Sequence, residues 1–228
     1  MKKLHQHFDW PDIRTQVMEY CQDCVICIEK RGEKKHEGDL MNRNSGKPWE
    51  RLYVDLWGPI APVSRKGNKF VLTVKDGFSR FVILEPIPSK DGKTVAEAMA
   101  RVMVNFGIPN EIYSDNGLEF KNQLQAAMSR CFGYEQKFTI PHSPWTNMAE
   151  RAHATLGSVL QILMSRSKQK PENWDEAIPL VAGLINQRVC AATGVAPNDL
   201  IFTFRPCHPV DLIAKNADES KGALCRNF

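Results

Sequence analysis

The feature that most constrains the fold is a change of period near residue 90. Before it stand three short runs, RLYVDLWGPI from Arg51, FVLTVKD from Phe70 and FVILEPI from Phe81, rich in β-branched and aromatic residues and parted by Gly, Pro, Asn and Ser. That pattern predicts three strands in an antiparallel meander. After it, Val95, Met99, Val102 and Phe106 recur at helical spacing, with Thr94 and Glu97 as a capping box and Gly107 where a C′ glycine belongs.

The rest of the chain continues in alternation. Ile112-Tyr113 reads as a short strand that ends at Ser114-Asp115-Asn116-Gly117. Lys121–Phe132 repeats the helix formula with Leu124, Met128 and Cys131 as its apolar stripe, closed by Gly133. Tyr134–Ile140 is a fifth strand. After the loop PHSPWTN a long helix is expected from about Met148 to Lys168, and another from Trp174 to about Val189. The order β-β-β-α-β-α-β-α-α predicts an α/β fold with a mixed five-stranded sheet flanked by helices, and excludes a regular βαβ array.

The expected division is a small helical piece over residues 1–30, a linker over 31–48, the main domain over 49–213 and a polar tail over 214–228. Trp10-Pro11 opens the first piece, with Ile13, Val17 and Tyr20 following at roughly helical spacing. Residues 28–50 carry six Lys/Arg and five Asp/Glu and almost no large apolar side chain, so that segment cannot bury enough surface to fold alone. Apolar residues at 43% and charged residues at 25% of 228 supply a sizeable core and exclude a wholly disordered chain. No run approaches the length of a membrane-spanning helix. The start MKKLHQHFDWPD lacks the apolar core of a secretory signal, so the seven cysteines read as reduced thiols. A net charge of +4 permits a nucleic-acid partner without demanding one.

Three carboxylates stand out. Asp55 interrupts the apolar first strand, and its bland reading is an edge-strand aspartate turned to solvent. Asp115 ends the fourth strand before Asn-Gly, which turn chemistry alone would explain. Glu150 falls in the first turn of the long helix, where it would complement the dipole. Taken together, two aspartates at strand ends and a glutamate opening a helix just after a strand are expected to converge at one sheet edge. At an effective dielectric of about 20, two carboxylates about 4 Å apart repel by about 4 kcal/mol. A divalent cation relieves that repulsion, and hard oxygen ligands select Mg²⁺ or Mn²⁺. Two such ions would clamp the oxygens of an in-line phosphoryl displacement, so the set predicts phosphodiester chemistry.

These residues sit in strings that resemble the integrase family of retroviruses and LTR retrotransposons, specifically the gypsy type, with its ribonuclease-H-like DDE core. The strings are PWERLYVDLWGP around Asp55, VKDGFSRF, FGIPNEIYSDNGLEF around Asp115, IPHSPWTNMAERAHATL around Glu150, NWDEAIPLVAGLIN and TGVAPNDLIFTFRP. The resemblance spans about residues 4–213 and implies that Asp55, Asp115 and Glu150 are the catalytic triad, holding two Mg²⁺ or Mn²⁺ ions. It further implies DNA integration as the function: hydrolysis near a cDNA 3′ end, then attack of the freed 3′-hydroxyl on target DNA. A homo-oligomer, dimer or tetramer, acting in the nucleus and on no membrane, goes with that activity. Fifty-nine residues lie between the aspartates and 34 between Asp115 and Glu150, one fewer than the family's usual second gap. The missing position falls where Asn147-Met148-Ala149-Glu150 replaces Asn-Gly-x-x-Glu.

Asn116, His142, Arg151 and His153 are the candidate contacts to DNA ends, with turn formation and an exposed loop histidine as the bland readings of Asn116 and His142. Arg65, Lys66 and Lys69 between the first two strands, with Arg166, Lys168 and Lys170 after the long helix, are candidate phosphate contacts; a solvated basic face is the alternative. Cys24 and Cys27 have zinc-ligand spacing. The resemblance implies a Zn²⁺-binding N-terminal domain, but His5 and His7 are too close together to be its histidine pair, so the Zn²⁺ site reads as incomplete. Residues 214–228 read as a polar tail, in which the small β-barrel or chromodomain that often follows in the family is not expected. A decayed or host-adopted DNA-binding protein is the alternative to an enzyme, and a metal nuclease without strand transfer is a third reading.

Overall fold

The structure is a computed structural model that describes residues 8–22, 45–139, 146–167 and 170–202. The described residues fall in two compact units. The first contains helix α1 (Ile13–Gln22), with Ile13 buried and Trp10 Nε1 donating to Gln16 Oε1 at 3.0 Å. Tyr20, which follows Ile13 and Val17 at roughly helical spacing, is exposed. Cys24 and Cys27 lie outside the described residues.

The second unit is built on one sheet. Its strands are β1 (Arg51–Trp57), β2 (Phe70–Asp76), β3 (Val82–Ile87), β4 (Glu111–Ser114) and β5 (Glu135–Phe138), in the order β3-β2-β1-β4-β5. The β1–β2 and β2–β3 pairs are antiparallel, as the meander predicts, while β1–β4 and β4–β5 are parallel. A parallel join needs a crossover, and helices α2 (Gly92–Phe106) and α3 (Gln123–Phe132) supply the two. The long helix α4 (Thr146–Ser167) follows, then a single 3₁₀ turn Pro171–Asn173, α5 (Trp174–Gln187) and α6 (Pro197–Ile201).

Because β1 is paired on both sides, Asp55 belongs to the central strand. That corrects the edge-strand reading, which could not anticipate the parallel partner from far along the chain. Alternation along β1 and β2 divides the core in two. Leu52, Val54, Leu72, Val74 and Ile112 pack with Val95, Met99 and Val102 of α2 on one face. Val71, Val82 and Leu84 pack with Leu156 and Leu160 of α4 and Trp174, Ile178 and Val181 of α5 on the other. Burying a side chain of this size contributes roughly 1.5–3 kcal/mol.

The helix starts differ from the sequence-based expectation for local reasons. Asp91, not Thr94, caps α2: its carboxylate accepts from Thr94 N at 2.9 Å and from Thr94 Oγ1 at 2.7 Å, so the threonine acts as donor. A hydrogen bond from Ser89 and those from Thr94 hold the Asp91 carboxyl far below the usual carboxylate range. Asn122 caps α3, which buries Gln125 and rests Met128 on the core, while Leu124 and Cys131 of the expected stripe are exposed. Gly133 ends it at φ 78°, the left-handed C′ position. α4 begins at Thr146, so Glu150 stands in its second turn and not its first.

Asn186, near the end of α5, is buried and grips the edge strand. Its Oδ1 accepts from Val82 N and its Nδ2 donates to Val82 O, each at 2.8 Å. This amide supplies for β3 what a further strand would supply. Asn186→Leu is expected to orphan both groups and destabilise the fold by about 2–4 kcal/mol, seen as a lower urea midpoint.

Candidate active site

Odd-numbered residues of β1, β4 and β5 point to one face and form polar rows. The first row is Arg51, Glu111 and Glu135, and the second is Tyr53, Tyr113 and Lys137. Asp55 lies two residues beyond Tyr53 in β1, and Asp115 two beyond Tyr113, just past the end of β4, so both stand toward the C-terminal ends of two adjacent parallel strands. Sheets of this kind carry their ligand sites at that end. Each aspartate is oriented by one backbone N–H: Leu56 N donates to Asp55 Oδ1 at 2.8 Å, and Gly117 N donates to Asp115 Oδ1 at 2.9 Å.

Helix α4 lies over the same face. Gly157 makes the approach close, since a Cβ there would come within 3.3 Å of the Trp57 ring. One turn earlier, His153 Nε2 stands 3.7 Å from Asp55 Oδ2, with its side chain 14% exposed. Thus Asp55 and Trp57 on the strand meet His153 and Gly157 on the helix, two positions against four, at nearly equal rise. Glu150 is three residues before His153, one turn back along the same side of the helix. His153, a candidate DNA contact, stands beside the Asp55 carboxylate.

Asn116 Nδ2 donates to Thr139 O at 3.3 Å and ties the end of β4 to the end of β5. The Arg65–Lys66 corner is folded back on α5 and the turn before it: Arg65 N donates to Glu172 O at 2.9 Å, and Lys66 Nζ is 3.5 Å from Glu176. Both positions are fixed through their backbone or an ion pair, in place of a simple basic tip. Lys69 enters the sheet through its backbone, with its N donating to Ile87 O. It lines a cavity of about 610 Å³ with Lys90, Leu118 and Glu119. His142 and Lys168 lie outside the described residues, as do the side chains of Glu150, Arg151 and Arg166. Among the described residues no group of three His, Cys, Asp or Glu is placed to hold a metal ion.

Sequence reasoning missed the charged ladder that leads to the aspartates. Glu111 bonds Arg51 and Lys137, each at 2.7 Å, and accepts from Tyr113 Oη at 3.1 Å. Tyr53 and Tyr113 stack at 5.3 Å. The Lys137 bond holds the Glu111 carboxyl below its ordinary value of 4.5, and the same bond raises Lys137. Burial raises both tyrosines. A depressed carboxyl stabilises the fold above the unfolded-state value, so this contribution is lost as pH falls below about 4.5. No sequence signal marked the ladder, because its three members come from strands that pair only after folding.

Comparison with known proteins agrees with this architecture. The integrase core domain family matches residues 46–144. Polyproteins of the transposons Tf2-3 and Tf2-4 of Schizosaccharomyces pombe are 31% identical over 216 residues, 91% of this chain. The chain spans 16% of the length of these relatives. Among solved structures, the catalytic core domain of HTLV-2 integrase in complex with magnesium superposes with a TM-score of 0.58 at 17% identity, over 70% of this chain and all of that one. A chain of the simian T-cell lymphotropic virus intasome in complex with the B56γ subunit of PP2A gives 0.63 at 18% identity, over 91% of this chain and 73% of that one. The sheet order, the two aspartates at adjacent strand ends and these relatives lead to one conclusion: the chain belongs to the integrase family of LTR retrotransposons and carries its ribonuclease-H-like core.

Proposed function

We propose that residues 49–213 form an integrase catalytic core that cuts near the 3′ ends of an element's DNA and joins them to target DNA, with Asp55, Asp115 and Glu150 as the catalytic carboxylates. The observation that carries this reading is that Asp55 and Asp115 both stand toward the C-terminal ends of adjacent parallel strands, each accepting from a backbone N–H. Hard carboxylate oxygens on adjacent strands, with the buried, unpartnered Thr73 hydroxyl in register with Asp55, fit a divalent metal, Mg²⁺ or Mn²⁺. Bound there, such an ion supplies charge neutralisation at the scissile phosphate and at the attacking oxygen. Asp55 and Asp115 would hold it from the sheet, with Glu150 of α4 as the third carboxylate. DNA is the partner, in a homo-oligomer acting in the nucleus.

A second reading, a decayed or host-adopted DNA-binding protein, is favoured by the glycine-free, shortened Asn147-Met148-Ala149-Glu150 segment, which lies at the start of α4. A branched DNA that mimics the joined product separates the two. With Mg²⁺ or Mn²⁺ present and excess chelator as control, the enzyme reading predicts resolution into two shorter products. Binding of that DNA without resolution would leave the second reading; cutting without joining on linear ends would leave a nuclease.

A further inference from the structure

Thr73 has a hydroxyl that core packing does not explain. It lies on β2 in register with Asp55 on β1, so the two share a face with their Cβ atoms about 5 Å apart. Its other cross-strand neighbour is Leu84, and Val71 precedes it on the same face. Thr73 is 3% exposed, and its Oγ1 has no hydrogen-bond partner. A valine would fill the same space without an unmet polar group, and an unmet buried hydroxyl is costly. The polar group opposite is Asp55, which His153 meets from α4 at 3.7 Å.

We propose that Thr73 is a positioning residue for Asp55: its hydroxyl, unpartnered without the ion, donates to the Asp55 carboxylate when a divalent ion is bound and holds it in register, opposite His153. The inference rests on the metal-dependent reading of the site and assigns to β2 a part in it. Groups that orient a ligand carboxylate commonly change metal affinity 10–100-fold when removed.

The test is Mn²⁺ binding by calorimetry to the full chain, beside thermal melts without ion, for wild type, Thr73→Val and Thr73→Ser. Thr73→Val is expected to bind Mn²⁺ about 10-fold more weakly, while its ion-free melting temperature stays level or rises because the orphan hydroxyl is gone. Thr73→Ser keeps the hydroxyl and is expected to restore affinity to within about twofold of wild type. Wild-type affinity in Thr73→Val, or equal loss in Thr73→Ser, would overturn the role of Thr73 alone. If wild type takes up no Mn²⁺, the metal-dependent reading falls and this inference falls with it.

Discussion

Asp115→Asn is expected to lower the rate of DNA cutting and joining by on the order of 10³-fold, since a lost metal ligand forfeits several kcal/mol of transition-state stabilisation. The same substitution should raise the melting temperature of the ion-free chain. Asp115 and Asp55 stand toward the same end of two adjacent parallel strands, and removing one of two negative charges there relieves their repulsion. The asparagine oxygen still accepts from Gly117 N, which Asp115 Oδ1 does at 2.9 Å, so the turn survives. Opposite signs for activity and stability distinguish a functional carboxylate from a structural one. A fall in both would mean that Asp115 serves the turn alone.

Asp76→Ala carries the largest expected effect on folding. Asp76 is fully buried at the end of β2, and its carboxylate accepts from Trp49 N at 3.0 Å, Ser79 N at 2.8 Å and Ser79 Oγ at 2.6 Å. Those bonds hold the chain ahead of β1 onto the β2–β3 turn, where Trp49 and Arg80 both take positive φ, 65° and 66°. Alanine orphans two backbone donors in a region that already carries two unfavourable conformations. A loss of about 3–5 kcal/mol is expected, enough to unfold a marginally stable domain at physiological temperature. Circular dichroism melts read it directly. A change below about 1 kcal/mol would show that solvent reaches these groups.

Much of the sheet was legible in the sequence because its period-2 runs are short, apolar and separated by strong breakers. The helix ends were less so. Asp91 and Thr94 are both good caps, and only the folded geometry shows the threonine donating to the aspartate. The α3 stripe failed for a related reason: Leu124 and Cys131 have helical spacing, but α3 rests on its Gln125–Met128 side, which periodicity cannot favour over apolar residues. At the site, Asp55 and Asp115 could be picked out as carboxylates in apolar or turn surroundings. Their adjacency needed the β1–β4 register, which links positions 60 residues apart. Thr73 gave no signal at all, since a threonine in a strand of valines reads as a good β-former. His153 was marked as polar and near Glu150, yet its partner, Asp55, was set by the close approach that Gly157 permits.

The central claim is that the Asp55–Asp115–Glu150 set brings a divalent ion to the scissile phosphate. Branched DNA with a nonbridging phosphate oxygen at the joining point replaced by sulfur tests it most directly, because sulfur is a poor ligand for Mg²⁺ and a tolerated one for Mn²⁺. Resolution of the sulfur-substituted DNA should fail in Mg²⁺ and return in Mn²⁺, while the all-oxygen DNA reacts in both. Equal rates with oxygen and sulfur in Mg²⁺, for either configuration at phosphorus, would contradict a metal contact at the reacting phosphate.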